Sequence, residues 1–200
     1  MTTTKSIQTF NRTFEEMQMH GMKLPSDRVF FSIPDARNVL WSAICYFIGK
    51  EGKKARWLPE YEKVAAWAGG NEGMGLFMFG NCGRGKSVLC RYVLPLLLLQ
   101  YCRKIVSVYD IQDMNRDIDR VLTKHIIALD DVGTEEVSVK YGERRVAFAE
   151  VMDAAEKHGK LLIVSTNLGE KELRERYGDR VIDRIRSTTL RVAFNGESLR

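Results

Sequence analysis

The 200-residue sequence predicts an α/β fold: a five-stranded parallel sheet with helices on both faces. The main observation is a change of pattern at Gly75, after which short apolar runs alternate with helical stretches. Runs that are apolar throughout, rather than at every second residue, belong to strands buried on both faces. The second observation is composition. At 44% hydrophobic and 28% charged, the chain matches an ordinary globular protein, and its length suits one domain. Collagen-like, mucin-like and wholly disordered classes are excluded.

Residues 1–34 are polar and read as irregular. Pro34-Asp35 opens a helix that Asp35 can cap, with Leu40, Trp41, Ile44, Phe47 and Ile48 on one apolar face. Gly49 ends it, and EGKKAR follows as a basic, exposed connection. A second helix starts near Pro59, buries Tyr61, Val64, Ala65 and Ala68, and stops at Gly69-Gly70. Trp41 and Trp67 sit at helical spacing and read as core. The five strands are Leu76–Phe79, Ile105–Tyr109, Ile126–Leu129, Leu161–Ser165 and Leu190–Phe194. Between them lie helices near Lys86–Gln100, Asp113–Leu122, Gly142–His158 and Glu170–Tyr177. The third has Phe148, Val151, Met152 and Ala155 on one face and Gly159 at its end. The division is a helical extension over 1–70, a possible partner-binding segment, and a core over 71–200.

Lysine and arginine number 31 against 26 aspartates and glutamates, a net charge of +5 that permits a polyanionic partner without requiring one. The longest greasy run, Val93–Leu99, contains Pro95 and is far shorter than the roughly 20 residues of a membrane span. The polar N-terminus has no signal-peptide core. Cys45, Cys82, Cys90 and Cys102 form no C-x-x-C pair, which argues against structural zinc and for a reducing, cytoplasmic setting.

The first strand runs into Gly80-Asn81-Cys82-Gly83-Arg84-Gly85-Lys86-Ser87, which satisfies G-x-x-x-x-G-K-[ST] at every fixed position. Glycines let such a loop wrap a phosphate chain, its N–H groups point at phosphate oxygens, and the following helix adds its positive end. Lys86 is expected to neutralise the outer phosphates of ATP and Ser87 to hold Mg²⁺. Cys82 reads as a small loop-filling residue.

Downstream, Ile126–Leu129 leads into Asp130-Asp131. A carboxylate at a strand end beside the loop is a second Mg²⁺ ligand, the expected role of Asp130, and Asp131 is placed to polarise the attacking water. Glutamate is the usual residue there, and aspartate is one methylene shorter, so slow hydrolysis is expected. One complete strand lies between Lys86 and Asp130, which favours an ATPase with an additional strand in its sheet. The strand Leu161–Ser165 ends in Thr166-Asn167, and Asn167 can align the water or touch the outer phosphate. Six arginines fall within Arg174–Arg191. Arg180 and Arg184 are four apart and share a helix face; one reaching a neighbour's nucleotide would act in trans and imply a homo-oligomer.

GNCGRGKS, IIALDDVG, VSTNL and GDRVIDRIRS, in that order, resemble the bacterial helicase-loader ATPases of the DnaC type, within the AAA+ superfamily, with IstB-like transposition helper ATPases as close relatives. The resemblance covers about Gly75–Arg200. It implies a P-loop NTPase (AAA+) core, ATP-dependent oligomers, contact with single-stranded DNA and a hexameric replicative helicase as partner. By match, Asn167 takes the sensor role and Arg184 the arginine-finger role with Arg180 beside it, and Arg200 in the terminal GESLR lies near the nucleotide. No helical lid follows Arg191, in keeping with loaders. Asp110–Lys124 leaves little room for the extra DNA-contacting helix of initiator-type relatives. Two other functions fit the same motifs: an ATP-gated binding switch with little hydrolysis, and a transposition helper acting on a transposase.

Overall fold

The computed structural model describes residues 2–21, 28–134, 138–140 and 143–199. Three helices precede the sheet: α1 (Thr2–Met19), α2 (Ala36–Lys50) and α3 (Pro59–Gly69). The five sheet strands are β1 (Gly75–Gly80), β2 (Ser107–Asp110), β3 (Ile126–Val132), β6 (Leu161–Thr166) and β7 (Thr189–Phe194). All pair in parallel, in the order β2-β3-β6-β1-β7. The predicted α/β class and each predicted strand are therefore present. The inserted strand between β1 and β3 is β6.

Alternation along the strands builds two apolar layers. Leu76 and Met78 of β1, Ile163 of β6, and Val192 and Phe194 of β7 face α2, α3 and the helix after β1. Phe77, Leu129, Leu162 and Val164 face the opposite layer, made by α6 (Ile111–Arg116), α7 (Ile118–Leu122), α8 (Ala147–His158), α9 (Glu170–Tyr177) and α10 (Asp179–Thr188). Successive side chains of a strand point to opposite faces, so one apolar run serves both layers. Helices α2 and α3 pack into the same layer as β1 and β7, so 29–68 is built onto the sheet rather than hung from it.

This two-sided arrangement fixes where a ligand cleft opens. The chain leaves β1 along one face to reach β2 at the far edge, and every later crossover returns along the other face. Right-handed crossovers require that change of face whenever the direction of travel reverses. The loops after β1 and β6 therefore diverge to opposite faces, which leaves a crevice at their carboxyl ends.

Several local expectations are corrected. Residues 2–19 form a helix, supported by the Glu- and Met-rich sequence and an Arg12–Glu16 ion pair one turn apart. Asp35 sits in the left-handed region (φ 49°), and its carboxylate accepts from Asn38 Nδ2 at 2.9 Å instead of capping a backbone N–H. The helix after the loop runs through α4 (Lys86–Val88), a π turn (Leu89–Val93) and α5 (Leu94–Cys102). Pro95 cannot donate to the carbonyl four residues back, and the ladder widens just before it. The single helix expected over Asp113–Leu122 is two, because Asp117 breaks it and accepts from the Arg120 N–H. The helix expected from Gly142 begins at Ala147, after an antiparallel hairpin of β4 (Ser138–Lys140) and β5 (Glu143–Arg145); Gly142 itself lies outside the described residues. Ile105 is exposed and precedes β2 rather than opening it. Among the described residues no helix is long and apolar enough to cross a membrane.

Candidate functional site

Residues 80–87 link β1 to α4. The loop needs its glycines: Gly80 and Gly85 have φ of 109° and 84°, and a Cβ at Gly80 would stand 2.6 Å from the Phe194 carbonyl oxygen. Lys86 is buried, and its Nζ donates to the carbonyls of Gly80 (2.8 Å) and Asn81 (2.7 Å), so the ammonium lies over the loop. A cleft of about 520 Å³ opens there. Cys82, Gly83, Gly85, Lys86 and Ser87 line it from the loop; Asp131 and Asn167 line it from the tips of β3 and β6.

The β3 tip is irregular, and that separates the two aspartates. Register shifts between Leu129 and Val132, and Asp131 has φ 57°, a conformation aspartate tolerates better than most residues. Asp131 thereby turns into the cleft, and Asn167 Nδ2 donates to its Oδ1 at 3.3 Å. Asp130 is buried. The Ser165 hydroxyl donates to its Oδ1, and Arg91 Nη1 lies 3.4 Å from its Oδ2. Asp130 does not line the cleft as the other strand-tip residues do.

Arg84 departs from its expected place. Its backbone belongs to the loop, but its side chain turns inward, with Nε 2.5 Å from Glu60 Oε1 and Nη1 donating to the Glu197 carbonyl at 2.9 Å. Tyr61 Oη donates to the Arg84 carbonyl at 3.1 Å, and burial followed by the Glu60 charge pushes its pKa up to about 12. The chain's end fastens the other side of the loop. Asn81 Nδ2 donates to the Gly196 carbonyl (2.8 Å), and the Leu199 N–H donates to the Gly83 carbonyl (3.0 Å). Arg200 lies outside the described residues.

The near wall of the cleft was missed by motif reading. Ile44 and Ile48 of α2 supply an apolar end, and Lys53, Lys54 and Arg56 bring positive charge to the rim. The only signal in the sequence was the basic run EGKKAR. Trp67 is buried, and Trp41 is partly buried with its ring edge-on to Trp57 at 5.8 Å.

Arg184 and Arg180 lie on α10, away from this cleft. Arg184 is 9% exposed at its side chain: Nε donates to Glu156 Oε2 at 3.0 Å, and Nη1 makes an ionic contact at 2.8 Å with Asp153 Oδ1 that lacks hydrogen-bond alignment. Arg184, expected in the arginine-finger role, is thus held by two acids that α8 presents to it. Arg180 is the exposed one, at 72%, held by a single contact to Asp153 (3.1 Å). Arg174, Arg186 and Arg191 gather around Glu170.

Among the described residues no cluster of three or more acids, histidines or cysteines could hold a metal by itself, so a divalent cation in the cleft, which Ser87 lines, would draw most of its shell from phosphate and water. A serine hydroxyl and a strand-tip carboxylate are hard oxygen ligands, and Mg²⁺ takes one or two carboxylates and completes its shell with phosphate and water.

No protein-family model and no curated protein matches the chain. Similar solved structures include those of DnaI and of the DnaC helicase loader. The crystal structure of DnaI shares 18% identity over 82% of this chain and 96% of that one, with a TM-score of 0.52. The crystal structure of the DnaC helicase loader shares 19% identity over 82% of this chain and 93% of that one, with a TM-score of 0.53. The chain has the α/β P-loop NTPase fold of these structures.

Proposed function

We propose that the chain binds and hydrolyses ATP and uses it to load or remodel a replicative helicase on single-stranded DNA. The observation that carries the nucleotide half is the cleft, which joins Lys86 and Ser87 to Asp131 and Asn167 from two neighbouring strand tips. The likeness to the DnaC helicase loader structure supports the partner, alongside the four motifs in order.

In this reading the N–H groups of 80–87 and the Lys86 ammonium take the phosphate oxygens. Ile44 and Ile48 accept the base. Ser87 and Asp130 would hold Mg²⁺, which neutralises charge on the phosphates. Asp131 accepts a proton from the water that attacks the terminal phosphorus as the bond to the ADP oxygen breaks, and Asn167 orients Asp131 through Oδ1. Arg180, the exposed arginine of the pair, reaches the neighbouring subunit's nucleotide in a homo-oligomer, while Arg184 holds α10 on α8. ATP turnover measured with and without single-stranded DNA tests the enzyme. A pull-down against a replicative helicase and a transposase tests the partner: capture of the transposase alone replaces the loader by the transposition helper. Tight ATP binding without turnover replaces the enzyme by an ATP-gated switch, an outcome that the short reach of Asp131 permits.

A further inference from the structure

The sheet end beside the phosphate loop holds a cation between two aspartates. Asp110 closes β2, and Asp130 is its register partner on β3. Arg91, in the π turn one helical turn beyond Ser87, spans them: Nη1 lies 3.4 Å from Asp110 Oδ2 and 3.4 Å from Asp130 Oδ2. The other oxygen of each carboxylate is already engaged. Ser165 Oγ donates to Asp130 Oδ1, and the Gln112 N–H donates to Asp110 Oδ1 at 2.9 Å, capping α6. Each aspartate therefore offers Arg91 its one remaining oxygen.

The two sides are unequal. Asp130 is 2% exposed at its side chain and Asp110 is 34% exposed. Asp130 Oδ2 is the oxygen left for a metal, and a guanidinium stands on it. Two cations on that oxygen repel each other, most of all on the side of the buried Asp130, while Arg91, 37% exposed at its side chain, keeps part of its hydration. Asp110 Oδ2 already touches the same Nη1, so the guanidinium can shift its weight there without crossing open space. A widened turn at this position suits such a side chain, since π turns are frequent at functional sites.

We infer that Arg91 is a positioning residue that contests Asp130 with the divalent cation and passes to Asp110 when metal-bound nucleotide enters. The inference rests on the nucleotide reading above and adds a residue that no motif in the sequence marks. Arg91 makes nucleotide binding conditional on the metal, because Asp130 is released only to a cation that outcompetes the guanidinium.

The test is a Mg²⁺ titration of binding by a fluorescent ATP analogue to the full chain. Thermal unfolding verifies that each variant is folded. Arg91→Met lowers the Mg²⁺ concentration for half-maximal binding about tenfold, equivalent to ~1.4 kcal/mol. Arg91→Lys, which keeps the charge, stays near wild type. Asp110→Asn raises the Mg²⁺ requirement several-fold, because Arg91 loses its second seat, and the double variant behaves as Arg91→Met. An unchanged or higher requirement in Arg91→Met, or a lower one in Asp110→Asn, overturns the inference while leaving nucleotide binding intact. If Arg91→Met does not fold, the direction of the Asp110→Asn shift decides alone. A wild-type chain that binds no nucleotide at any Mg²⁺ concentration overturns the nucleotide reading and this inference with it.

Discussion

Replacing Arg184 by alanine separates an anchor from a finger. Its guanidinium is 9% exposed and meets two acids of α8, one turn apart, at 2.8 and 3.0 Å. Removing one partner of a fully buried pair costs about 3–5 kcal/mol. Here Asp153 and Glu156 keep 31% and 42% of their side-chain exposure and rehydrate in part, so the expected loss is smaller, about 2–3 kcal/mol. A chain of this length loses about 2–4 °C of Tm per kcal/mol, so the midpoint falls by about 4–12 °C. Circular dichroism on heating and in urea measures this, with ATP turnover recorded well below both midpoints. Per folded molecule, Arg184→Ala keeps most of its turnover. A variant that unfolds within 1 °C of wild type and has lost turnover would refute the anchor and restore Arg184 as the residue acting in trans.

Arg180→Ala is expected to bind ATP normally and to lose about 10³-fold in turnover; mixing it with Lys86→Ala restores part of the activity, because one interface then pairs an intact finger with an intact loop. Lys86→Ala itself abolishes ATP binding by equilibrium dialysis and leaves the far-ultraviolet dichroism unchanged. Asp131→Asn keeps ATP and loses roughly 10²–10⁴-fold in turnover; persistence of turnover would move the base elsewhere, for instance to Glu135, which lies outside the described residues. Tyr61 has a folded pKa near 12 against 10.0 unfolded, so its contribution is whole below pH 10 and drains as pH rises through 12; urea unfolding should show wild type losing about 2 kcal/mol more than Tyr61→Phe between pH 9 and 11.5.

The central strands were legible because burial on both faces leaves few polar residues to interrupt a run. LLIVST of β6 is buried at every position, and its bounds fall within one residue of those read from sequence. Elements lacking that signal were missed for identifiable reasons. Most described side chains of α1 are exposed, so no apolar face marked it. The break at Asp117 depends on one side chain choosing the Arg120 N–H over the helix ladder. Asp35 had the right chemistry for a cap, but the left-handed turn that carries it points the carboxylate at Asn38 instead.

The site was legible to a different depth. A phosphate loop is a local object: its glycines, lysine and serine act within eight residues, so sequence order defines it. A cleft is a product of topology. Ile44, Lys53, Gly83, Asp131, Asn167 and Leu199 meet only because β6 inserts between β1 and β3 and the chain's end returns through β7 to the loop. The two arginines of α10 show the same limit. Spacing of four put Arg180 and Arg184 on one helix face, but which of them is buried depends on what the facing helix offers. Asp153 and Glu156 of α8 close around the more central arginine and leave Arg180 with the other oxygen of Asp153 alone. An arginine so lightly held can exchange that contact for a phosphate, whereas Arg184 would have to abandon two carboxylates to do so. On that difference we propose Arg180, rather than Arg184, as the arginine that acts in trans.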